Sequence, residues 1–129
     1  MANKNISARQ WELNAITPLL GISNMGAATG YDITIPPGGY VTEITVDTLV
    51  AFDSATTATL TVTDGTTVFV NGVDIKTTGR ETTTIAAAYY PSGGVIHVNL
   101  AQTGAGATVG TAVVVVSYLK LDRQTEVQH

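Results

Sequence analysis

Few side chains in this sequence could do chemistry. There are two histidines, His97 and His129, and no cysteine. A disulfide, a thiolate metal site and a cysteine nucleophile are therefore out of reach. His129 is the last residue, and His97 falls in the middle of an alternating stretch. It reads as a sheet-surface position rather than a base or a ligand. A Ser–His–Asp arrangement is spatial and has no fixed spacing, but the GxSxG turn that would present a serine is missing. Asp53, Asp64 and Asp74 lie in or beside loop-forming stretches. Calcium takes such carboxylates together with backbone oxygens. Their spacing is not that of an EF-hand loop, and Asp in a β-rich chain is first a turn former. Glu12, Glu43, Glu81 and Glu126 are scattered and suggest no acid–base pair. Gly104-Ala105-Gly106 lacks the lysine and the following helix of a phosphate loop, so it reads as a turn. Lys76, Arg80 and Glu81 make a small charged spot that reads as solvated. Tyr89 and Tyr90 are adjacent and would point to opposite faces of a strand, which weakens a sugar-stacking platform. The expectation is a protein that is not an enzyme and has no catalytic, cofactor-binding or metal site.

Composition narrows the class further. At 129 residues the chain is long enough for one core. Six basic against ten acidic residues give a net charge of −4. With no basic stripe, nucleic acid is not an expected partner. No apolar run is long enough for a membrane helix, so no membrane partner is expected either. Only 12% of residues are charged, about half the usual share of roughly 25%. Such a surface suits either packing against copies or a lattice, or a solvated Thr-rich sheet. The chain starts at Met1 without a charged-then-apolar leader, which fits synthesis in a reducing cytoplasm.

The elements that would carry these residues read as strands. Thr, Ala and Val are the most frequent residues, and Thr and Val suit a pleated surface. Residues 1–10 are polar and unpatterned and read as an N-terminal arm. Residues 11–122 read as a single sandwich domain, and 123–129 as a C-terminal tail. Residues 11–16 alternate, with Trp11, Leu13 and Ala15 on one face. Thr17–Gly30 is a loop with apolar pegs. Tyr31–Ile35 is a strand, followed by the Pro36-Pro37-Gly38-Gly39 turn. In Tyr40–Val50 the core side is Thr42, Ile44, Val46, Thr48 and Val50, with Val41 opposite. Ala51–Thr57 is a loop with Phe52 as a plug. Ala58, Leu60 and Val62 face inward, and Asp64-Gly65 turns a hairpin. Asn71-Gly72 signals another turn, and Val73–Glu81 reads as a long polar connection or edge. Thr82–Ala88 is a strand with few large side chains. Ile96, Val98 and Leu100 form the inner face of a further strand. Gln102–Gly110 is a flexible or tightly turning loop.

Thr111–Leu121 is apolar on both faces over its first half and so needs two covers. One cover is the sandwich interior, formed with Ile33, Ile44, Leu60 and Val98. The other, on the Val114–Val116–Tyr118 side, is expected from a symmetry mate or from the strand around Trp11. Seven or eight strands with some long connections predict an all-β, antiparallel β-sandwich of Greek-key or jelly-roll type.

The segments YDITIPPGGYVTEITVDTLVAFDSATTATLTVTDGTT, AYYPSGGVIHVNL and GTAVVVVSYLKLDR resemble small structural proteins of tailed bacteriophages. The likeness covers about residues 31–121 and is one of strands and turns. It implies a jelly-roll head decoration (cement) protein on the capsid surface of a virion. Such a protein forms a homotrimer and binds the major capsid protein, bridging neighbouring capsomers. The family supplies no motif residues to transfer. The segments expected to meet a partner are therefore the arm and first strand, through Ile6, Arg9, Trp11, Leu13 and Ile16, and the last strand, through Val114, Val116 and Tyr118. Other readings are a tail, neck or fibre-base component, a carbohydrate-binding sandwich module, and a small hydrolase.

Overall fold

The structure, a computed structural model, describes residues 12–26 and 30–120. The expected arm with Ile6 and Arg9, Trp11, and the tail at 123–129 lie outside the described residues. Eight strands form: β1 (Glu12–Ile16), β2 (Tyr31–Ile35), β3 (Gly39–Val50), β4 (Thr57–Thr63), β5 (Val68–Asp74), β6 (Gly79–Tyr90), β7 (Gly94–Thr103) and β8 (Thr111–Lys120). One short 3₁₀ turn, Ile22–Asn24, lies between β1 and β2.

The strands make two four-stranded antiparallel sheets, in the orders β1-β8-β3-β6 and β2-β7-β4-β5. Every connection except the β4–β5 hairpin passes from one sheet to the other. That is the winding of an antiparallel jelly roll. It leaves β1 and β6 at the edges of one sheet, and β2 and β5 at the edges of the other.

Alternation fills the space between the sheets. Ala58, Leu60 and Val62 of β4 and Ile96, Val98 and Leu100 of β7 are fully buried. They meet Val41, Ile44 and Val46 of β3 and Ala112, Val114 and Val116 of β8. Val41 was expected on the outer side. A bulge at Thr42 puts one extra residue on β3 between its pairings with Tyr118 and Ser117. The pleat changes phase there, so Val41 and Ile44 both point inward. A second irregularity after Thr48 turns Val50 outward.

The faces of β8 are the reverse of the sequence expectation. Val114 and Val116 are fully buried and Tyr118 is half-buried against the core, so this side is the sandwich interior. Its cover is the opposite sheet. Strand β1 lies beside β8 in the same sheet, pairing Glu12–Ile16 with Leu119–Val115, and does not lie over its face. Val113 and Val115 form the outer side and are half-buried. Two valine faces of equal apolarity carry no sign of which is inside. The register decides it, pairing Val114 with Val46 and Val116 with Ile44.

Asn71-Gly72 is not a turn. Gly72 has φ +68 and lies within β5 at a bulge, where Leu60 and Val62 pair with Val73 and Val70. Positive φ is the conformation that favours glycine at such a bulge. Its N–H donates to Thr61 Oγ1 at 3.1 Å. Strand β5 therefore continues to Asp74, and a tight turn around the buried Ile75 leads straight into β6.

Candidate interaction surfaces

Asp53, Asp64 and Asp74 each accept hydrogen bonds from loop residues. Asp53 accepts from Thr108 N–H at 2.6 Å, Thr108 Oγ1 at 2.6 Å and Val109 N–H at 3.1 Å. These bonds, the Thr108 hydroxyl foremost, lower its pKa from 3.8 to about 2. They tie the 51–56 loop to the 104–110 loop. Ser54 and the Ala107 N–H both donate to Gln102 Oε1, at 2.7 and 2.8 Å. Phe52, fully buried, closes this end beneath Gly110, where an added side chain would run into the Phe52 ring.

Asp64 accepts from the N–H groups of Thr66 and Thr67 at 2.9 and 2.6 Å and so shapes the β4–β5 hairpin. Its other oxygen takes the Tyr90 hydroxyl at 2.9 Å. Tyr90 belongs to β6, so the bond joins the edges of the two sheets. Partial burial alone would raise the Asp64 carboxyl. The Thr67, Thr66 and Tyr90 donors outweigh it and hold the group below 3.8. Burial, and then the Asp64 carboxylate, raise the Tyr90 phenol above 10. Asp74 accepts from Lys76 N–H at 2.9 Å and Thr77 Oγ1 at 3.3 Å. Among the described residues no three His, Cys, Asp or Glu side chains come together in a way that could hold a metal ion. His97 lies on the outer face of its sheet beside Asp32, at 2.8 Å.

Two surfaces remain for contact with other molecules. The first is the outer face of the β1–β8 pair. Ile16 stands opposite Val115, which stands opposite Thr45. Ile16 is 61% exposed and Leu19, in the segment beside Val113, is 68% exposed. Leu49, Val50 and Val109 are exposed at the adjoining end. Of the expected partner residues that are described, Ile16 is the one that lies open here. Leu13 is half-buried opposite Tyr118, while Val114 and Val116 have no accessible surface left to offer a partner.

The second surface lies between the sheet edges. Towards the Tyr90 end, the Tyr90–Asp64 bond and Phe69 narrow the gap to a recess of about 140 Å³. Towards the other end, a cleft of about 590 Å³ lies between β5 and β6. Val46 and Val73 give it apolar lining, and Asn71, Asp74, Thr78 and Glu81 give it polar walls. Glu81 pairs with Val46 across the ladder, so it stands on the inward side of β6. Its neighbour Arg80 points outward and holds Asp47 through two bonds, at 2.7 and 3.1 Å. Sequence reasoning missed this cleft because it read 73–81 as a long polar connection or edge and not as the turn between two edge strands. Gly72 and Gly79, each with positive φ, were the available hint of two strands divided by a tight turn.

No protein-family model matches the sequence, and no curated protein matches it. Solved structures do match. A chain in the acidic stable capsid structure of Helicobacter pylori bacteriophage KHP30 aligns over 86% of this chain and 89% of its own. The TM-score is 0.64 at 15% identity. A chain in the capsid of Ralstonia phage GP4 aligns over 86% and 84%, with a TM-score of 0.52 at 15% identity. The fold is shared with chains of two phage capsids. At this identity the likeness is one of strand order and packing, with no side-chain correspondence to transfer.

Proposed function

We propose that this chain is a non-enzymatic structural component of a phage virion, a decoration protein that sits on the capsid surface as a homotrimer. It binds the major capsid protein and braces neighbouring capsomers. The observation that carries this reading is the match of nearly the whole jelly roll to chains in two phage capsids. The surface agrees with it. The aspartates of the loops serve as turn and loop staples, and the most exposed large apolar side chains, Ile16 and Leu19, lie together beside β8. Bracing needs contact area rather than a reactive group, and several modest contacts per trimer add up through avidity.

Light scattering together with binding to purified heads tests the proposal. The expected result is three times the 13.4 kDa chain mass and retention on heads. A chain that stays monomeric and fails to bind heads, or binds isolated tails instead, would overturn it.

A further inference from the structure

We propose that the recess at the Tyr90 end of the β5–β6 gap is an anchor site for one cationic side chain, an arginine guanidinium or a lysine ammonium, presented by a partner protein. The recess holds about 140 Å³, the liquid volume of roughly five water molecules. Phe69, Tyr89 and Tyr90 line it beside the Asp64 carboxylate, and no basic side chain does. Ala86 and Ala88 add only methyl groups to the wall, which leaves the space open. Adjacent residues of a strand point to opposite faces. Tyr89 and Tyr90 both reach the recess because it lies at the margin of β6, an edge strand.

Aromatic rings and a carboxylate around one small space suit a cation. A ring attracts positive charge within about 6 Å of its centre, and a recess this narrow holds its occupant at that range. Asp64 forms no ion pair with any described residue. Its hydrogen-bond donors, the Thr66 and Thr67 N–H groups on Oδ1 and the Tyr90 hydroxyl on Oδ2, are all neutral. They keep the carboxyl ionised at neutral pH and leave its charge without a counter-charge. A carboxylate offers about four acceptor positions, so Oδ2 has room for one donor more. The wider field has the same sign, with eight carboxylates against three cationic side chains, Lys76, Arg80 and Lys120, among the described residues. An anion would be repelled here, and a neutral group would leave Asp64 uncompensated.

The rim points to a protein as the source of the cation. Tyr89 pairs directly with Tyr40 of β3, and the next pair, Val41 and Ala88, is buried. Tyr40 and Tyr89 therefore stand side by side on the outer face, with Tyr89 48% exposed. Tyrosine is enriched where proteins meet, and arginine is a frequent anchor there. Strand β6 pairs only with β3, so its outer backbone groups are open to a chain that passes the recess. Such a chain would rest on the tyrosine rim and drop one basic side chain between Tyr89 and Asp64.

Butylguanidinium titrated into the full chain, followed by backbone amide NMR, tests the site. The signals of Phe69 and Tyr89 should move, and 1-pentanol, similar in length but uncharged, should bind about tenfold more weakly. Tyr89→Ala should weaken butylguanidinium about fivefold, while Tyr89→Phe keeps the ring and the affinity. Tyr89 is exposed, so its variants should melt as the parent does. Asp64→Asn keeps an oxygen for the hairpin N–H groups, loses the charge, and should weaken binding about tenfold. A capped Ala-Arg-Ala peptide should bind several-fold more tightly than butylguanidinium, because its backbone adds contact at the rim. No shift at Phe69 and Tyr89, equal binding of 1-pentanol or of methyl glucoside, or unchanged affinity in both Tyr89→Ala and Asp64→Asn would each overturn the site. Equal affinity of peptide and butylguanidinium would overturn the partner protein and assign the recess to a free cation. The test uses no phage heads, so its failure leaves the virion role standing.

Discussion

At the end of the sandwich where the 51–56 and 104–110 loops meet, the polar side chains are satisfied inside the chain. Asp53, Ser54 and Gln102 bind one loop to the other, and Phe52 seals the space beneath. Along the β5–β6 edge the arrangement is half of that. The Tyr90–Asp64 bond closes one part, and the other part stays open, with Glu81 facing a cleft that reaches Val46. Both regions are made of loops and edges rich in Thr, Gly and Asp. One has its carboxylate anchored by three donors, whereas the other presents a carboxylate without an ionic partner among the described residues. Hydrogen bonds within the chain close one end, and an open sheet edge leaves strand groups exposed at the other.

Removing the seal should have the largest effect. Phe52→Ala is expected to cost about 3–5 kcal/mol in denaturant unfolding, because the ring is fully buried and Gly110 is fixed over it. A cost below about 1 kcal/mol would mean that the loop end is not held from beneath. Next comes the bond that closes half of the open edge. Tyr90→Phe keeps the ring and loses the donor to Asp64, so about 1 kcal/mol is expected. Faster hydrogen exchange should appear along β5 and the end of β6 and not at the loop end.

Asp53→Ala should lower the melting temperature at neutral pH by roughly a few degrees, as lost loop hydrogen bonds do. Its pH signature is more specific. The folded pKa is depressed from 3.8 to about 2, so the contribution is fully present above about 4 and is lost as pH falls towards 2. The variant should show a flatter acid limb in that window, and an unchanged limb would show that Asp53 is not the anchor. The smallest effect is expected at Arg80→Ala. Its pair with Asp47 is on the surface and the Arg80 side chain is 70% exposed, so stability should hardly move.

Much of the fold was legible in the sequence because turns and alternation are local. Ile33 and Ile35, the Ala58–Leu60–Val62 and Ile96–Val98–Leu100 faces, the Asp64-Gly65 hairpin and the Phe52 plug all follow from pattern and turn chemistry. The phase of β3 was legible from Ile44 to Thr48 and not at the irregularities on either side. Nothing in VTEITV announces that Thr42 is an extra residue, and one bulge moves Val41 into the core. The faces of β8 were reversed because valines on both of them give no contrast to read. The cleft was hidden for a different reason. It lies between β5 and β6, two edges of separate sheets that meet only after the whole chain has wound, so its residues carry no shared local signal.

The most direct measurement of the proposed role is where the protein lies on an imaged phage virion. The account predicts jelly-roll trimers on the outer surface of the capsid, each contacting more than one capsomer. Density confined to the tail, or a virion lacking the protein, would contradict it.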